Sequence, residues 1–206
     1  MIIFRAHDNC KKKKVSCEMN TIVDLFNEYS LGADVIEPEG IIRLFADMQI
    51  PVDSKMALAL LKELRVAKMG RIQREEFFSA CRNEQISCLK ELKRFGAMIA
   101  KKIDSFDYDR QLYRFVFDFA RLEEQKSLSL EVAFSLWEIF LSNKTYHLTH
   151  FIEYCKLSKT KIINRDQWNS FYDFCHSFDQ FPSEYDESGS WPVLLDSYVS
   201  WLQQIN

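Results

Sequence analysis

Three groups of residues in this chain have types and spacings that could support chemistry. His147 and His150 stand three apart, with Cys155 close behind, and imidazole with thiolate is a zinc-ligating combination. Gly70, Ile72 and Glu76 fall at the sixth, eighth and twelfth positions of a calcium-binding helix–loop–helix, whose loop supplies oxygens at positions 1, 3, 5, 7, 9 and 12. From Glu184 to Asn206 the chain carries four acids and no Lys, Arg or His, arranged around Gly189 and the pair Trp191-Pro192. This last segment reads as a loop that docks on the body of the protein and displays negative charge.

The first two groups do not close into sites. A metal reading of the histidines needs a third ligand and a preorganised site, and they read instead as partly exposed residues at a helix start. With Gly70 in the sixth position, positions 1, 3 and 5 are Arg65, Ala67 and Met69, which offer no anionic oxygen. An earlier loop, aligned on Ile36, supplies Tyr29, Leu31 and Ala33 at those positions and Gly40 at the twelfth. Neither metal nor cofactor is expected. No Gly-x-Ser-x-Gly, P-loop or dinucleotide fingerprint occurs, so no catalytic residue is assigned and the chain is not expected to be an enzyme. Cysteines stand at 10, 17, 81, 88, 155 and 175 without a Cys-x-x-Cys pair, which reads as buried structural thiols in the cytoplasm, the nucleus or both. The aromatic run Phe106, Tyr108, Tyr113, Phe115, Phe117 and Phe119 could stack on bases, but its interspersed aspartates repel phosphate. Core packing is the better reading, and nucleic acid is not an expected partner.

The elements that must hold these residues are helical. The chain of 206 residues is 47% hydrophobic with 17 Phe, but only 5 Gly and 4 Pro, a balance that suits long helices. Net charge is −3, and no apolar run approaches the roughly 18 residues of a membrane span. Residues 1–17, with the run Lys11–Lys14, read as a basic flexible tail. Residues 18–103 form an N-terminal subdomain of EF-hand-like helix–loop–helix pairs without metal sites, and 104–206 a C-terminal helical subdomain. In the first, Ile22, Leu25, Phe26 and Tyr29 mark one helical face, with Asn20 or Thr21 as cap. Pro38 opens a second helix and Pro51 stops it. Asp53 or Ser54 caps a third, and Phe77, Phe78 and Cys81 mark a fourth. Ile36 and Ile72 each precede a helix and are placed to join the two loops through a short strand pair. The next helix centres on Leu89, Leu92, Phe95, Met98 and Ile99. Asp107 or Asp109 opens another, and Ser127 or Ser129 caps residues 130–141, with Val132, Leu136, Ile139 and Phe140 as buried candidates. Helices follow at 149–157 and 166–178, with Ile162 or Ile163 between them, and a last one begins near Pro192 and carries Leu195, Val199 and Leu202. The fold class is all-α.

The segment Tyr185-Asp-Glu-Ser-Gly-Ser-Trp-Pro-Val-Leu-Leu-Asp196 resembles the signature of the defective-in-cullin-neddylation family, whose domain is called the potentiating-neddylation (PONY) domain. Phe115-Val-Phe-Asp-Phe-Ala-Arg121, Gln125-Lys-Ser-Leu128 and Asp166-Gln-Trp168 match in order and spacing, so the resemblance covers roughly residues 18–204. It implies a monomeric scaffold-type ligase component. Such proteins hold the winged-helix region of a cullin's C-terminal domain, with its ring-finger partner, beside a conjugating enzyme charged with the ubiquitin-like modifier. Rate then rises through proximity. The family's cullin-facing patch falls on Asp166, Ser190 and Asp196; Ser190 replaces the usual Ala, and Asp166 is also a candidate helix cap. The family's pocket for the acetylated N-terminus of the conjugating enzyme falls on Ile41, Leu58, Leu61, Leu64, Ile72, Phe119, Leu136 and Ile139, each of which also reads as core. Without the resemblance, the alternative is a non-catalytic, EF-hand-derived adaptor that binds an amphipathic helix in an apolar groove.

Overall fold

The computed structural model describes residues 21–142, 144–178, 180–181, 185–186 and 189–205. The basic tail at 1–17, and Glu184, Glu187 and Ser188 of the acidic segment, lie outside them. The chain divides between Ile103 and Asp104 into two compact units. The first contains α1 (Ile22–Ser30), β1 (Val35–Ile36), α2 (Pro38–Met48), α3 (Lys55–Glu63), β2 (Ile72–Gln73), α4 (Arg74–Asn83) and α5 (Leu89–Ala100). The second contains α6 (Phe106–Ala120), β3 (Ser127–Ser129), α7 (Leu130–Leu141), α8 (His147–Leu157), β4 (Ile162–Asn164), α9 (Arg165–Ser177) and α10 (Val193–Ile205). The order is the same in both: helix–strand–helix twice, then one further helix. The fold is predominantly helical, as composition and periodicity indicate.

Local chemistry accounts for most boundaries. The Thr21 hydroxyl accepts from the Asp24 N–H at 3.1 Å, Ser54 from Ala57 at 3.2 Å and Ser129 from Val132 at 3.3 Å, each satisfying an orphan amide of a first turn. Pro38 occupies the first turn of α2, and Gln49 closes that helix at φ 61° ahead of Pro51. Three sequence expectations are corrected. Ser105, not Asp107 or Asp109, precedes α6; Asp109 lies inside its first turn, is buried, and accepts the Tyr172 hydroxyl at 2.8 Å. Val132 is 38% exposed: it flanks the outward stripe of Glu131, Ser135 and Glu138, while Ala133, Leu136, Trp137, Phe140 and Leu141 face inward. Met98 is 57% exposed, on the outer side of a helix that buries Leu92, Phe95 and Ile99.

In each unit a short antiparallel strand pair ties the two helix pairs together. Ile36 faces Ile72 in the first unit and Leu128 faces Ile163 in the second, all four at most 2% exposed. The residue that follows the second strand is an arginine in both. Arg74 donates to Asp34 at 2.8 Å, to Asn27 at 3.3 Å and to the Ala33 carbonyl at 3.1 Å, with its guanidinium 4.7 Å from the Phe26 ring centre. Arg165 forms a two-pronged pair with Asp118 at 2.7 and 2.5 Å and lies 5.2 Å from the Phe117 ring centre. Glu76, at the twelfth loop position, uses both oxygens on backbone amides: Ala67 at 3.1 Å and Gln73 at 3.0 Å. Gly70 is needed at its turn, where φ is +89°.

The core of the second unit is an aromatic column. Trp168 stacks on Tyr113 at 4.3 Å and on Trp137 at 5.6 Å, with 11° between planes in both cases. Its indole N–H donates to the Tyr113 carbonyl at 3.0 Å, and the Tyr113 hydroxyl donates to the Trp168 carbonyl at 2.8 Å. The Trp137 N–H reaches the same hydroxyl at 2.7 Å. Every polar atom that these rings bring inside is therefore matched, as burial requires. Truncating a buried aromatic leaves a cavity, and here also orphans a carbonyl, so Trp168→Ala should cost about 3–5 kcal/mol. The urea midpoint of the purified variant checks this; an unchanged midpoint would remove the column from its central place.

Candidate functional site

The acidic segment is positioned by α9. The Phe174 ring near the end of that helix lies 5.9 Å from Tyr185, 5.7 Å from Trp191, 5.9 Å from Tyr198 and 4.8 Å from His147. Phe178 adds contacts to Tyr185 at 6.0 Å and to Trp191 at 6.4 Å, and Tyr185 and Trp191 stack on each other at 6.2 Å. Two rings from the segment thus sit on one ring of the helix and one at its C-cap. The turn between them is tight. The Gly189 N–H donates to the Asp186 carbonyl at 3.0 Å, and a Cβ on Gly189 would come within 2.9 Å of that oxygen. Pro192 then leads into α10, where its carbonyl accepts from Leu195 at 2.8 Å and from Asp196 at 3.3 Å.

This scaffold fixes Asp196. Its carboxylate is half-buried in the first turn of α10 and accepts the Tyr185 hydroxyl at 2.5 Å. The composition of the segment does not disclose that bond; Tyr185 is the member of the candidate site that sequence reasoning missed, and only the three-dimensional turn brings it to Asp196. Ser190 is exposed beside Trp191. Asp166 is exposed in the first turn of α9, where the amide dipoles favour an anion. It is not the cap: Asn164 accepts from the Gln167 N–H at 2.9 Å, and Gln167 accepts from the Asn164 N–H at 3.0 Å. About 12 Å of helix separates Asp166 from Phe174. Asp166 therefore marks the start of α9, while Ser190 and Asp196 belong to the segment seated at its end.

The eight residues assigned to the second surface divide between the units. Ile41, Leu58, Leu61, Leu64 and Ile72 belong to the first, at 9, 5, 8, 0 and 0% exposure. Phe119 and Leu136 belong to the second at 2 and 5%, and Ile139 there is half-buried. Leu64 and Ile72 touch no solvent and serve the core of their unit.

The reading of His147 is corrected, while His150 is partly exposed as expected. His147 is fully buried, not partly exposed, with Nδ1 3.0 Å from the Tyr198 hydroxyl, while His150 Nδ1 meets the Tyr146 carbonyl at 3.0 Å. Among the described residues no group of three or more His, Cys, Asp or Glu is placed to hold a metal. The thiols of Cys81, Cys155 and Cys175 are pushed up to about 12 by burial, so they remain protonated and unreactive. No helix among the described residues is long and apolar enough to cross a membrane.

A family model described as cullin binding matches residues 91–201. Human DCN1-like protein 5 is 30% identical over 176 residues, which is 85% of this chain and 74% of that protein. DCN1-like protein 2 of Dictyostelium discoideum is 33% identical over 183 residues, 87% of this chain and 68% of that protein. The chain belongs to the DCN1-like family. The resemblance drawn from the Tyr185–Asp196 segment therefore stands at the level of the family. Human DCN1-like protein 4 is more distant, at 27% identity, but its match spans 201 residues and 97% of this chain.

Burial holds the His147 imidazole below its usual pKa of about 6.5. The unfolded chain then binds a proton that the folded chain resists, so stability is full above about pH 6.5 and declines as pH falls through that value. Denaturant titrations between pH 7 and 5 should show a shallower decline for His147→Asn; an identical slope would exclude His147 as its source.

Proposed function

We propose that this DCN1-like chain works in cullin neddylation as a non-catalytic scaffold. It binds the winged-helix region of a cullin's C-terminal domain and holds it beside the modifier-charged conjugating enzyme. The observation that carries the reading is the Asp196 carboxylate, set by the Tyr185 hydroxyl on a segment seated against Phe174 and Phe178, in a chain whose family model is described as cullin binding. A carboxylate already fixed in place gives a basic partner a defined register. Exposed Asp166 adds a second acid at the other end of α9, and Ser190 contributes a small polar contact in the segment that carries Asp196.

In this reading the thioester, the attacking lysine and the acyl transfer belong to the partners. The scaffold raises rate because two bound reactants become neighbours, converting a bimolecular encounter into an effectively unimolecular one. The conjugating enzyme is engaged through its acetylated N-terminal methionine. Acetylation removes an ammonium charge that would resist transfer to an apolar surface, so the modified terminus buries at lower cost.

A neddylation assay with a cullin, its ring-finger partner and the charged conjugating enzyme tests the whole reading. Stimulation by the chain is expected, and its absence would reject the scaffold role. Asp196→Lys places a cation against a basic partner and should weaken cullin binding at least about a hundredfold, within the 2–5 kcal/mol typical of disrupting a buried charge contact. Titration calorimetry with the cullin C-terminal domain reads that loss, with circular dichroism confirming that the fold is kept. Peptides from the conjugating enzyme's N-terminus should bind more tightly when acetylated; equal affinities for the two forms would dismiss the proposed recognition of that terminus.

A further inference from the structure

We propose that the outer face of α5 is a docking surface for an acidic, amphipathic segment of a partner protein. The inner face fixes the helix. Leu92, Phe95, Gly96 and Ile99 are buried, and a Cβ at Gly96 would meet the methyls of Met48 and Met56 and the Cδ1 of Ile50 at 3.5, 3.7 and 4.0 Å. The opposite face is made of Lys90, Lys93, Arg94, Ala97, Met98 and Lys101, all exposed. Lys101 continues the helical conformation at the C-cap, with φ −70° and ψ −23°. At 3.6 residues per turn these six side chains span an arc of about 140° and a length of about 16 Å.

Local acids offset this face only in part, through the attraction between Glu91 and Arg94. Glu91 is the acid within α5, and the N–H and hydroxyl of Ser87 hold its carboxylate, both at 2.7 Å, on the turn that precedes the helix. Lys102, which follows, pairs with Glu63 at 3.4 Å and is not part of the face. Lys90, Lys93, Arg94 and Lys101 form no ion pair among the described residues. A solvated helix face has no need of an exposed methionine, yet Met98 is 57% exposed in the midst of these cations, next to Ala97. An apolar centre with a charged rim is the anatomy of a protein interface, and methionine adapts well to varied apolar partners.

Charge complementarity selects an acidic occupant. The extent of the face selects a protein segment over a nucleic acid. Four cations over one short helix offer few phosphate contacts, the face has no aromatic ring to stack on bases, and the chain as a whole is net negative at −3. The face lies apart from Asp166, Ser190 and Asp196 in sequence and charge, so it adds a contact that the proposed scaffold role does not require.

The test uses the full chain and a fluorescein-labelled peptide in which Glu and Asp alternate with Leu, followed by fluorescence anisotropy. Binding should be measurable at low salt and largely lost at about 1 M salt, where the Debye length falls to about 3 Å. Reversing the four charges (Lys90→Glu, Lys93→Glu, Arg94→Glu, Lys101→Glu) should weaken it by at least about tenfold. Met98→Ser, which leaves every charge in place and burdens the fold little, should weaken it several-fold and keeps the test decisive if the quadruple variant folds poorly. Absence of peptide binding by the wild-type chain, or affinities unchanged in Met98→Ser and the charge-reversed chain, would overturn the proposal. Tighter binding to a charge-matched DNA duplex or to phosphatidylserine vesicles than to the peptide would overturn it as well.

Discussion

Trp168 can lie wholly inside the second unit only because Tyr113 meets it twice, once through its ring and once through hydrogen bonds running in both directions between the two residues. A buried indole N–H without an acceptor costs on the order of 1–3 kcal/mol, and the Tyr113 carbonyl removes that cost. Trp137 closes the arrangement by donating to the Tyr113 hydroxyl. Three helices, α6, α7 and α9, are locked in register by this group. The placement of α9 in turn decides where Phe174 stands, and Phe174 decides where Tyr185, Trp191 and Tyr198 pack. The position of Asp196 is thus inherited from a buried aromatic column several residues away, and a change in that column would be felt at the surface without touching an acid.

Both units solve one problem in the same way. Two helix pairs meet through strands too short to be stable alone, since an isolated two-stranded hairpin is marginal in water. Each unit reinforces that junction with an arginine that directly follows the second strand. Arg74 joins Asn27, the Ala33 carbonyl and Asp34 while lying over Phe26; Arg165 joins Asp118 while lying close to Phe117. The guanidinium suits this place because its planar fork reaches several oxygens at once and its face packs on a ring. In the first unit Glu76 completes the closure by accepting two amides of its own loop. A cross-loop tie made from a fixed cation and a loop-closing carboxylate needs no bound ion.

Much of this was legible in the sequence. Proline and hydroxyl caps placed the starts of α1, α2, α3 and α7, and the isolated Ile36 and Ile72 forecast the first strand pair, because a lone β-branched residue between helical stripes has few other uses. The second pair was half hidden: Ile163 stood out, but Leu128 is as much a helix former as a strand former and gave no period-2 signal. The parallel between the units was missed because their shared positions carry different residues. Asn27 answers to Asp118, Gln73 to Asn164 and Phe77 to Trp168, matched in role rather than in identity. His147 misled for a related reason. A histidine in a first helical turn is usually wet, and its burial depends on Phe174 and Tyr198, contacts between residues far apart in sequence. Asp166 was recognised as acidic and terminal, but Asn164 two residues earlier already supplies the cap.

The two acids of the proposed cullin surface differ in what they can contribute. Asp166 is exposed, and exposed ion pairs are worth about 0–1 kcal/mol because water competes and side-chain freedom is lost on pairing. Its effect falls mainly on encounter and orientation. Asp196 is half-buried with one oxygen already engaged, so little further rotamer freedom is lost when a cation approaches, and ordering such a side chain otherwise costs about 0.5–1.5 kcal/mol. Its surroundings are aromatic and only partly wet, which strengthens the charge that remains. Affinity should therefore concentrate at the Trp191 end of α9, with the other end guiding approach. Ser190 sits at the strong end, next to the ring that seats the segment. A hydroxyl there must be desolvated or matched by the partner, so discrimination among partners is more readily tuned at this position than at either acid.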